Sequence, residues 1–127
     1  MIICFPIHKD LGLKSPVHQH FGAARVLMII DSEEGSVRSF YNKDFNHLHG
    51  SCDPIKALGG EAVDVVIAGG IGGGALIRLR TEGIRVFKAE GVTVEDNIVY
   101  FFDRGLPEFI SGETCSSHEK GGDCCGR

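Results

Sequence analysis

The sequence predicts an α/β fold in which helices flank one mixed β-sheet. Two observations lead to this prediction. The first half contains short apolar or aromatic runs typical of strands, whereas the second half alternates strand-like runs with segments of helical spacing. A meander of strands is antiparallel, and consecutive β-α-β units require parallel pairs with right-handed crossovers. We therefore expect about five strands in one sheet, the later ones parallel.

The first half supplies three predicted strands. Residues 2–7 (IICFPI) form the first, and Pro6 near its end suggests an edge strand or a break in pairing, because proline has no N–H. Residues 26–31 (VLMIID) are an uninterrupted apolar run, typical of a strand buried on both faces. Residues 37–43 (VRSFYNK) are more polar, and the intervening SEEG predicts a hairpin.

The first helix is predicted to begin at Asp53 and Pro54. An acidic N-cap followed by proline is a favoured helix start, because the missing N–H of proline has no helical partner there in any case. Ile55, Leu58 and Ala62 would then lie on one face.

Two further strands and two further helices complete the prediction. The run DVVIAGG is typical of a buried parallel strand, and GALIRLRTEG predicts a helix that ends at Gly83. IRVFKA at 84–89 predicts the last strand. Thr93 and Asp96 resemble a capping box that starts the last helix, which Gly105 and Pro107 end. The apolar residues expected to face inward on these two helices are Ala75, Leu76, Leu79, Ile98, Phe101 and Phe102.

Length and composition limit the possible functions. A chain of 127 residues with 43% hydrophobic residues can bury one core. The 13 Lys and Arg residues are outnumbered by 17 Asp and Glu and form no cluster, so we expect no nucleic-acid partner. No apolar run approaches membrane-spanning length. We expect one folded domain over residues 1–110 and a flexible Cys/His-rich tail over residues 111–127, where apolar periodicity is lost.

The cysteines and the start of the chain predict a cytoplasmic protein. The opening MIICFPIHKD has neither the cationic start nor the small-residue cleavage site of a secretory signal. Five cysteines in such a chain favour reduced thiols, and an odd number cannot all pair internally. Thiolate chemistry is therefore available.

A glycine-rich turn, AGGIGGGA at residues 68–75, lies between a predicted strand and a predicted helix. Free N–H groups and the helix dipole attract anions there, and the absence of a following Lys-Ser/Thr excludes a P-loop. Gly70, Gly72 and Ala75 fit the G-x-G-x-x-A pattern of dinucleotide-binding turns, with Glu90 near the expected acid, but no second nucleotide-binding half exists. Either the glycines only allow a tight turn between strand and helix, or the turn binds an anion or a cluster. The candidate binding residues are Gly70, Gly72, Gly73 and Gly74.

Two loops contain candidate metal ligands. The segment NHLHGSCDP offers His47, His49 and Cys52, and the start of the following helix should favour the Cys52 thiolate. The segment SPVHQHFGAA offers His18 and His20. Each histidine could instead be a solvated or packed loop residue. If both loops meet at one end of the sheet, they form an exposed pocket of nitrogen and sulfur ligands.

The tail contains a third set of candidate ligands. Its spacing matches no standard zinc finger, so it either binds an ion such as Zn or Cu or is a disordered end with reactive thiols. The residues concerned are Cys115, His118, Cys124 and Cys125.

Three segments together resemble a known family, the small proteins related to nitrogenase iron-molybdenum cofactor biosynthesis and carriage. SPVHQHFGAA corresponds to the family's Ser-Pro-Val-x-x-His-Phe-Gly-x-Ala, and HGSCDP to its His-Gly-x-Cys-x-Pro. DVVIAGGIGGGALIRLRTEGIRVF corresponds to its buried strand, glycine turn and helix. The segments match in order and spacing over about residues 1–106.

The resemblance implies a ribonuclease-H-like fold without ribonuclease activity, because the acidic residues that such a nuclease needs for two metal ions are missing. It implies that the protein binds an iron-sulfur or molybdenum-iron-sulfur cluster, or a precursor, and passes it from donor to acceptor proteins. His20 matches the family's histidine and is the expected cluster ligand, with His49 and Cys52 as supplementary candidates. His18 lies outside the shared pattern, and Ala23 stands where the family often has arginine.

We therefore expect a cluster carrier and not an enzyme, since the sequence contains no nucleophile-base pair and no carboxylate dyad. Two alternatives stay open. One is a small nucleotide- or anion-binding regulatory domain that uses the Gly70–Gly74 loop. The other is a general metal-handling protein outside nitrogen fixation. The sequence leaves the oligomeric state open.

Overall fold

The computed structural model describes residues 1–42 and 54–110. In these residues three strands come first, and helices and strands then alternate. The strands are β1 (Ile2–Ile7), β2 (Val26–Asp31), β3 (Ser36–Tyr41), β4 (Val65–Ala68) and β5 (Arg85–Lys88). The helices are α1 (Pro54–Leu58), α2 (Gly73–Thr81) and α3 (Val94–Asp103), and a 3-10 turn spans Phe21–Ala23.

All five strands form one sheet in the order β3-β2-β1-β4-β5. β1 pairs antiparallel with β2, which pairs antiparallel with β3. On its other side β1 pairs parallel with β4, and β4 pairs parallel with β5. The predicted ribonuclease-H-like mixed sheet of five strands is therefore confirmed.

Helices cover both faces of this sheet. Alternate strand residues such as Cys4, Leu27 and Val66 pack with apolar side chains of α1 and α2. The intervening residues, such as Phe5, Met28 and Ile67, pack against α3. This alternation follows from the strand period of two, and it explains why β1, β2 and β4 contain apolar runs without polar interruptions.

The prediction that Pro6 marks an edge strand is wrong, because β1 is the central strand of the sheet. The carbonyl of Pro6 accepts a hydrogen bond from His18, on the side of β1 away from β2. The N–H and C=O groups of one strand residue point to the same side, so the missing N–H costs no bond to β2. The alternative prediction, a break in pairing, is confirmed, because β1 pairs with β4 only as far as Cys4 and Val66.

Two predicted helix faces need correction. Helix α1 ends at Leu58, and Gly59 and Gly60 adopt positive φ angles of 64° and 88°, so Ala62 lies outside the helix and is exposed. Positive φ is the conformation that glycine tolerates best, and it stops the helix one turn early. On α3, Phe102 is exposed, whereas Ile98 and Phe101 pack against the sheet as predicted.

Other helix predictions are confirmed. Thr93 is the N-cap of α3, and its hydroxyl accepts a hydrogen bond of 3.1 Å from the N–H of Asp96. Ala75, Leu76 and Leu79 are the buried residues of α2. Asp53 and the predicted tail lie outside the described residues. Within residues 1–42 and 54–110, none of the helices is both long enough and apolar enough to span a membrane.

Candidate functional site

The carboxyl ends of three parallel strands meet at one edge of the sheet. β1 is followed by His8, β4 by Gly69 and β5 by Ala89. In open α/β sheets, ligands bind in crevices outside these strand ends, because loops and helix N-termini converge there. This edge, called the carboxyl edge below, is therefore where a ligand is expected.

Residues 16–21, called the histidine segment below, cross the carboxyl edge between β1 and β4. The N–H of His18 donates to the carbonyl of Pro6 at 2.7 Å, and the carbonyl of His18 accepts from the N–H of Gly69 at 3.2 Å. The N–H of Phe21 donates to the carbonyl of Gly70 at 2.9 Å. The segment thus fills the gap that opens where β1 and β4 stop pairing, and it is joined by hydrogen bonds to both strand ends.

Two buried side chains hold the histidine segment in position. Phe21 is fully buried and packs in the core beneath α1 and α2, which anchors one end. Ser15 is also fully buried, and its hydroxyl donates to the carbonyl of Gly12 and accepts from the N–H of Leu11, both at 2.7 Å. The Ser-Pro-Val and His-Phe-Gly parts of the motif therefore have structural roles that leave the histidines free to bind.

Glycine is required at two positions of the turn because the histidine segment lies against them. A Cβ at Gly70 would lie 2.9 Å from the carbonyl oxygen of Gln19, and a Cβ at Gly69 would lie 3.0 Å from its Cα. The space beside Gly70 is thus occupied by the protein's own backbone. A Cβ at Gly74 would meet nothing within 4 Å, so that position is open.

The start of α2 provides free hydrogen-bond donors beside the histidine segment. Gly72 is the N-cap, and its carbonyl accepts from the N–H of Leu76 at 2.9 Å. The N–H groups of Gly73, Gly74 and Ala75 have no acceptor within the described part of the chain. No acidic residue lies in the first turn of α2. Such an N-terminus attracts negatively charged groups.

Two imidazoles stack at the carboxyl edge. The ring centroids of His8 and His18 are 4.2 Å apart, with an interplanar angle of 25°. Nδ1 of His18 accepts a hydrogen bond of 3.0 Å from the N–H of His20. Burial, followed by the charges of His8 and His20, lowers the pKa of His18 below its ordinary value. His18 is therefore neutral at pH 7, and its proton is on Nε2, because Nδ1 accepts the hydrogen bond from His20.

His20 has a different environment from His18. It is exposed and is the N-cap residue of the 3-10 turn, and its side chain makes no capping hydrogen bond. An exposed imidazole without a hydrogen-bonding task in the fold is suited to bind an external metal.

Sequence reasoning missed two residues at this edge. His8 directly follows the central strand, and its position at a strand end was the signal that could have identified it. Asn97 on α3 is fully buried, and its side-chain oxygen accepts from the N–H groups of Glu90 and Gly91, both at 2.9 Å. Its amide donates to the carbonyls of Gly91 and Thr93 at 3.1 and 2.8 Å. Asn97 therefore fixes the loop that follows β5.

The structure brings part of the predicted site together. His18, His20 and the Gly70–Gly74 turn lie at the carboxyl edge. Within residues 1–42 and 54–110, no group of three or more His, Cys, Asp or Glu side chains is arranged to hold a metal ion. The other predicted ligands lie outside the described residues: His49, Cys52, Cys115, His118, Cys124 and Cys125.

A cavity lies at the end of the sheet opposite the carboxyl edge. It has a volume of about 300 Å³ and lies beside Ile2, Asp64 and Ile84, at the amino ends of β1, β4 and β5. The carboxylate of Asp64 already has a partner within the protein, because it accepts a hydrogen bond of 2.8 Å from the N–H of Ile2. The histidines and the glycine turn are therefore separate from this cavity.

Comparison with known proteins relates the chain to one family. A family model described as dinitrogenase iron-molybdenum cofactor matches residues 1–104. The apo form of the orange protein from Desulfovibrio gigas is 25% identical, with a TM-score of 0.76, and the match covers 87% of this chain and 93% of that chain. A putative NifB protein from Thermotoga is 29% identical, with a TM-score of 0.71 and coverage of 84% and 91%.

A more distant similarity concerns the fold alone. A putative dinitrogenase from Methanocaldococcus jannaschii is 20% identical, with a TM-score of 0.63, and the match covers 87% of this chain and 96% of that chain. No curated protein matches the chain.

Proposed function

Because this chain belongs to the dinitrogenase iron-molybdenum cofactor family, we propose that it binds an iron-sulfur or molybdenum-iron-sulfur cluster, or a precursor, and carries it between proteins. The observation that supports this most is the hydrogen-bonded contact between the histidine segment and the glycine turn, at 2.9 Å from Phe21 to Gly70. It puts an exposed imidazole and free backbone amides at one edge. The similar orange protein is known in an apo form, a term for a protein without its ligand, which supports a binding role.

The chemistry of the carboxyl edge suits such a cargo. Sulfide-bridged metal clusters are soft and negatively charged, so imidazole or thiolate binds the metal while N–H groups donate to the sulfides. His20 supplies the imidazole, and the first N–H groups of α2 supply the donors. His18 and the predicted ligands His49 and Cys52 would complete the set. The Cys115, His118, Cys124 and Cys125 tail is proposed as a second place for Zn or Cu.

A carrier must release its cargo, and a small number of protein ligands favours release. We therefore propose transfer from a donor protein to an acceptor protein without catalytic turnover. The site would work in a cytoplasm, where cysteine thiols remain reduced. The only cysteine among the described residues, Cys4, is buried, and burial raises the pKa of its thiol, so it takes no part in binding.

Anaerobic reconstitution with iron and sulfide, and separately with tetrathiomolybdate, tests the proposal by visible absorption and metal analysis. His20→Ala is expected to weaken binding by about tenfold or more, because a metal-binding imidazole is lost. Its melting temperature should change little, since an exposed side chain without packing contacts contributes little to folding. Glu82→Ala, an exposed change at the opposite end of the sheet, is the matched control and should leave binding unchanged.

Three results would contradict the proposal. If His20→Ala binds as tightly as the wild type, the ligand set lies elsewhere. If Glu82→Ala weakens binding to the same extent, the effect of His20→Ala is not specific to the carboxyl edge. If the wild-type chain binds neither kind of cluster but binds a nucleotide, the glycine turn belongs to a nucleotide-binding regulatory domain instead.

A further inference from the structure

A groove of about 270 Å³ lies at the carboxyl edge beside the histidine segment. One wall is the end of β5 with the residues that follow it, 88–92. The other wall is formed by Val17, Gln19 and Gly69. Gln19 and Gly69 are in close backbone contact, so the groove directly adjoins the glycine turn. Its volume suits a ligand of only a few heavy atoms, since pockets for drug-sized molecules begin at about 300 Å³.

The wall formed by residues 88–92 is held rigidly. The side chain of Asn97 accepts hydrogen bonds from the N–H groups of Glu90 and Gly91. It donates hydrogen bonds to the carbonyls of Gly91 and Thr93. Gly91 packs so closely on α3 that a Cβ there would lie 2.7 Å from Cβ of Asp96 and 3.0 Å from Tyr100. On the opposite wall, the N–H of Val17 donates to the carbonyl of Val92 at 2.9 Å. The groove is therefore formed before a ligand arrives, which lowers the entropy cost of binding.

The ionic side chains that line the groove leave it with a net positive charge. They belong to Lys88 and Glu90. The carboxylate of Glu90 lies 3.3 Å from the guanidinium of Arg104, which partly offsets its negative charge. Lys88 is exposed and has no ion pair within the described part of the chain.

The register of the sheet puts Lys88 next to the glycine turn. Lys88 is opposite Ala68 in the parallel pair of β4 and β5, and Ala68 is the last residue before the turn. Opposite residues of neighbouring strands share a face of the sheet, and Ala68 belongs to the core beneath α2. The Lys88 side chain therefore leaves the sheet on the α2 face, at the carboxyl edge.

We propose that this groove is the subsite for the anionic part of the cargo, a compact sulfide- or oxo-rich anion, and that Lys88 selects it by charge while His20 binds its metal. The inference rests on the proposed function and extends it by naming the groove that recognises the charge of the cargo and a cationic residue that binds it. A single partly exposed cation contributes modestly, and this suits a cargo that must leave.

The test measures anaerobic binding of tetrathiomolybdate to the full-length chain by absorption titration. Lys88→Gln is expected to weaken binding about five- to tenfold at low ionic strength, and Lys88→Arg should restore most of the loss. Arg78→Gln removes the same charge from an exposed position in the last turn of α2 and should change affinity less than about twofold. The salt dependence of binding should be shallower for Lys88→Gln than for Arg78→Gln.

A second measurement avoids any effect of mutation on folding. Amine acylation of the wild-type chain is followed residue by residue by mass spectrometry, with and without tetrathiomolybdate. Lys88 should be protected, whereas Lys14, which pairs with Glu95 at 2.7 Å, should react at an unchanged rate.

The outcomes separate this inference from the proposed function. If Lys88→Gln binds like Arg78→Gln and Lys88 gains no protection, while His20→Ala still weakens binding, the groove proposal is overturned and the carrier proposal stands. If the wild-type chain binds neither tetrathiomolybdate nor an iron-sulfur cluster, both are overturned.

Discussion

At the scale of single residues, His18 shows how a loop histidine can be fixed by its neighbours before any ligand binds. Its backbone bridges Pro6 and Gly69, its ring stacks on His8, and Nδ1 accepts the N–H of His20. The last of these contacts requires an unprotonated Nδ1, since a protonated Nδ1 could not accept that hydrogen bond. The position of His18 is therefore coupled to its protonation.

The lowered pKa of His18 predicts a pH dependence of stability. The unfolded chain binds a proton near the ordinary histidine pKa of about 6.5, whereas the folded chain binds it only at lower pH. Stability should therefore fall as the pH drops below about 6.5. His18→Asn removes the titration and retains a side-chain acceptor, so we expect its melting temperature to vary less than that of the wild type between about pH 7 and pH 5.

The two carboxylates whose pKa values are lowered by folding do not affect the change in melting temperature between pH 7 and pH 5. The pKa of Asp10 is lowered by its hydrogen bonds from Ser39 and Gly12, and that of Glu108 by Arg85, so their stabilising effects are lost only below about pH 4.5. Melting curves followed by circular dichroism at several pH values provide the data. An unchanged slope in His18→Asn between pH 5 and pH 7 would contradict the assignment to His18.

Sequence reasoning at the residue scale identified His18 and His20 but not their relation. Both histidines follow from the SPVHQHFGAA segment. That His18 stacks on His8, with His20 left exposed, depends on where residues 16–21 cross the sheet, and no local pattern encodes a contact between residues ten positions apart in a loop.

At the scale of elements, the glycine turn contains residues of two kinds. Gly70 is needed because the backbone of Gln19 lies against it, whereas Gly74 lies in the first turn of α2 with open space around its Cα. A run of glycines in the sequence does not distinguish these roles. The difference arises from the histidine segment, which approaches only the β4 end of the turn.

Gly70→Ala and Gly74→Ala form a matched pair that tests this difference. Gly70→Ala is expected to lower the free energy of unfolding by about 1–3 kcal/mol, because its Cβ would clash with a backbone oxygen. Gly74→Ala should raise it by about 0.5–1 kcal/mol, because alanine loses less conformational entropy in a helix. Urea denaturation measures both. Equal effects of the two substitutions would contradict the close contact with Gln19.

Element prediction was accurate where the local signals agreed. Helix α2 has apolar spacing and a terminating Gly83 with φ of 85°, and it was predicted nearly to the residue. Helix α1 was predicted too long, because the spacing of Ala62 fits a helix while the Gly59-Gly60 pair stops it. Two adjacent glycines disfavour a helix by more free energy than one alanine favours it.

At the scale of the whole molecule, Asn97 connects the helix on one face of the sheet to the carboxyl edge. It is buried on α3, and its four hydrogen bonds go to residues 90, 91 and 93. Since the same loop forms a wall of the groove, packing on that face positions the candidate site. Burial of an amide requires this full set of partners.

Asn97→Leu is expected to lower the free energy of unfolding by about 2–4 kcal/mol, because a side chain of similar size would leave the N–H groups of Glu90 and Gly91 and the carbonyl of Gly91 without partners. Denaturant unfolding measures this loss. Val99→Ala, at an exposed position of the same helix, is the control and should change stability by less than about 0.5 kcal/mol. A loss in Asn97→Leu no larger than in Val99→Ala would contradict the proposed role of Asn97.

The sequence by itself determined the order of strands and helices, the mixed sheet and the family, because these depend on local periodicity, on caps and on three motifs in fixed order. Only the tertiary structure decided that β1 is central despite Pro6, that Gln19 occupies the space at Gly70, and that Lys88 lies beside the glycine turn. These features depend on which strand ends become neighbours, and that follows from the packing of two helical layers on one sheet.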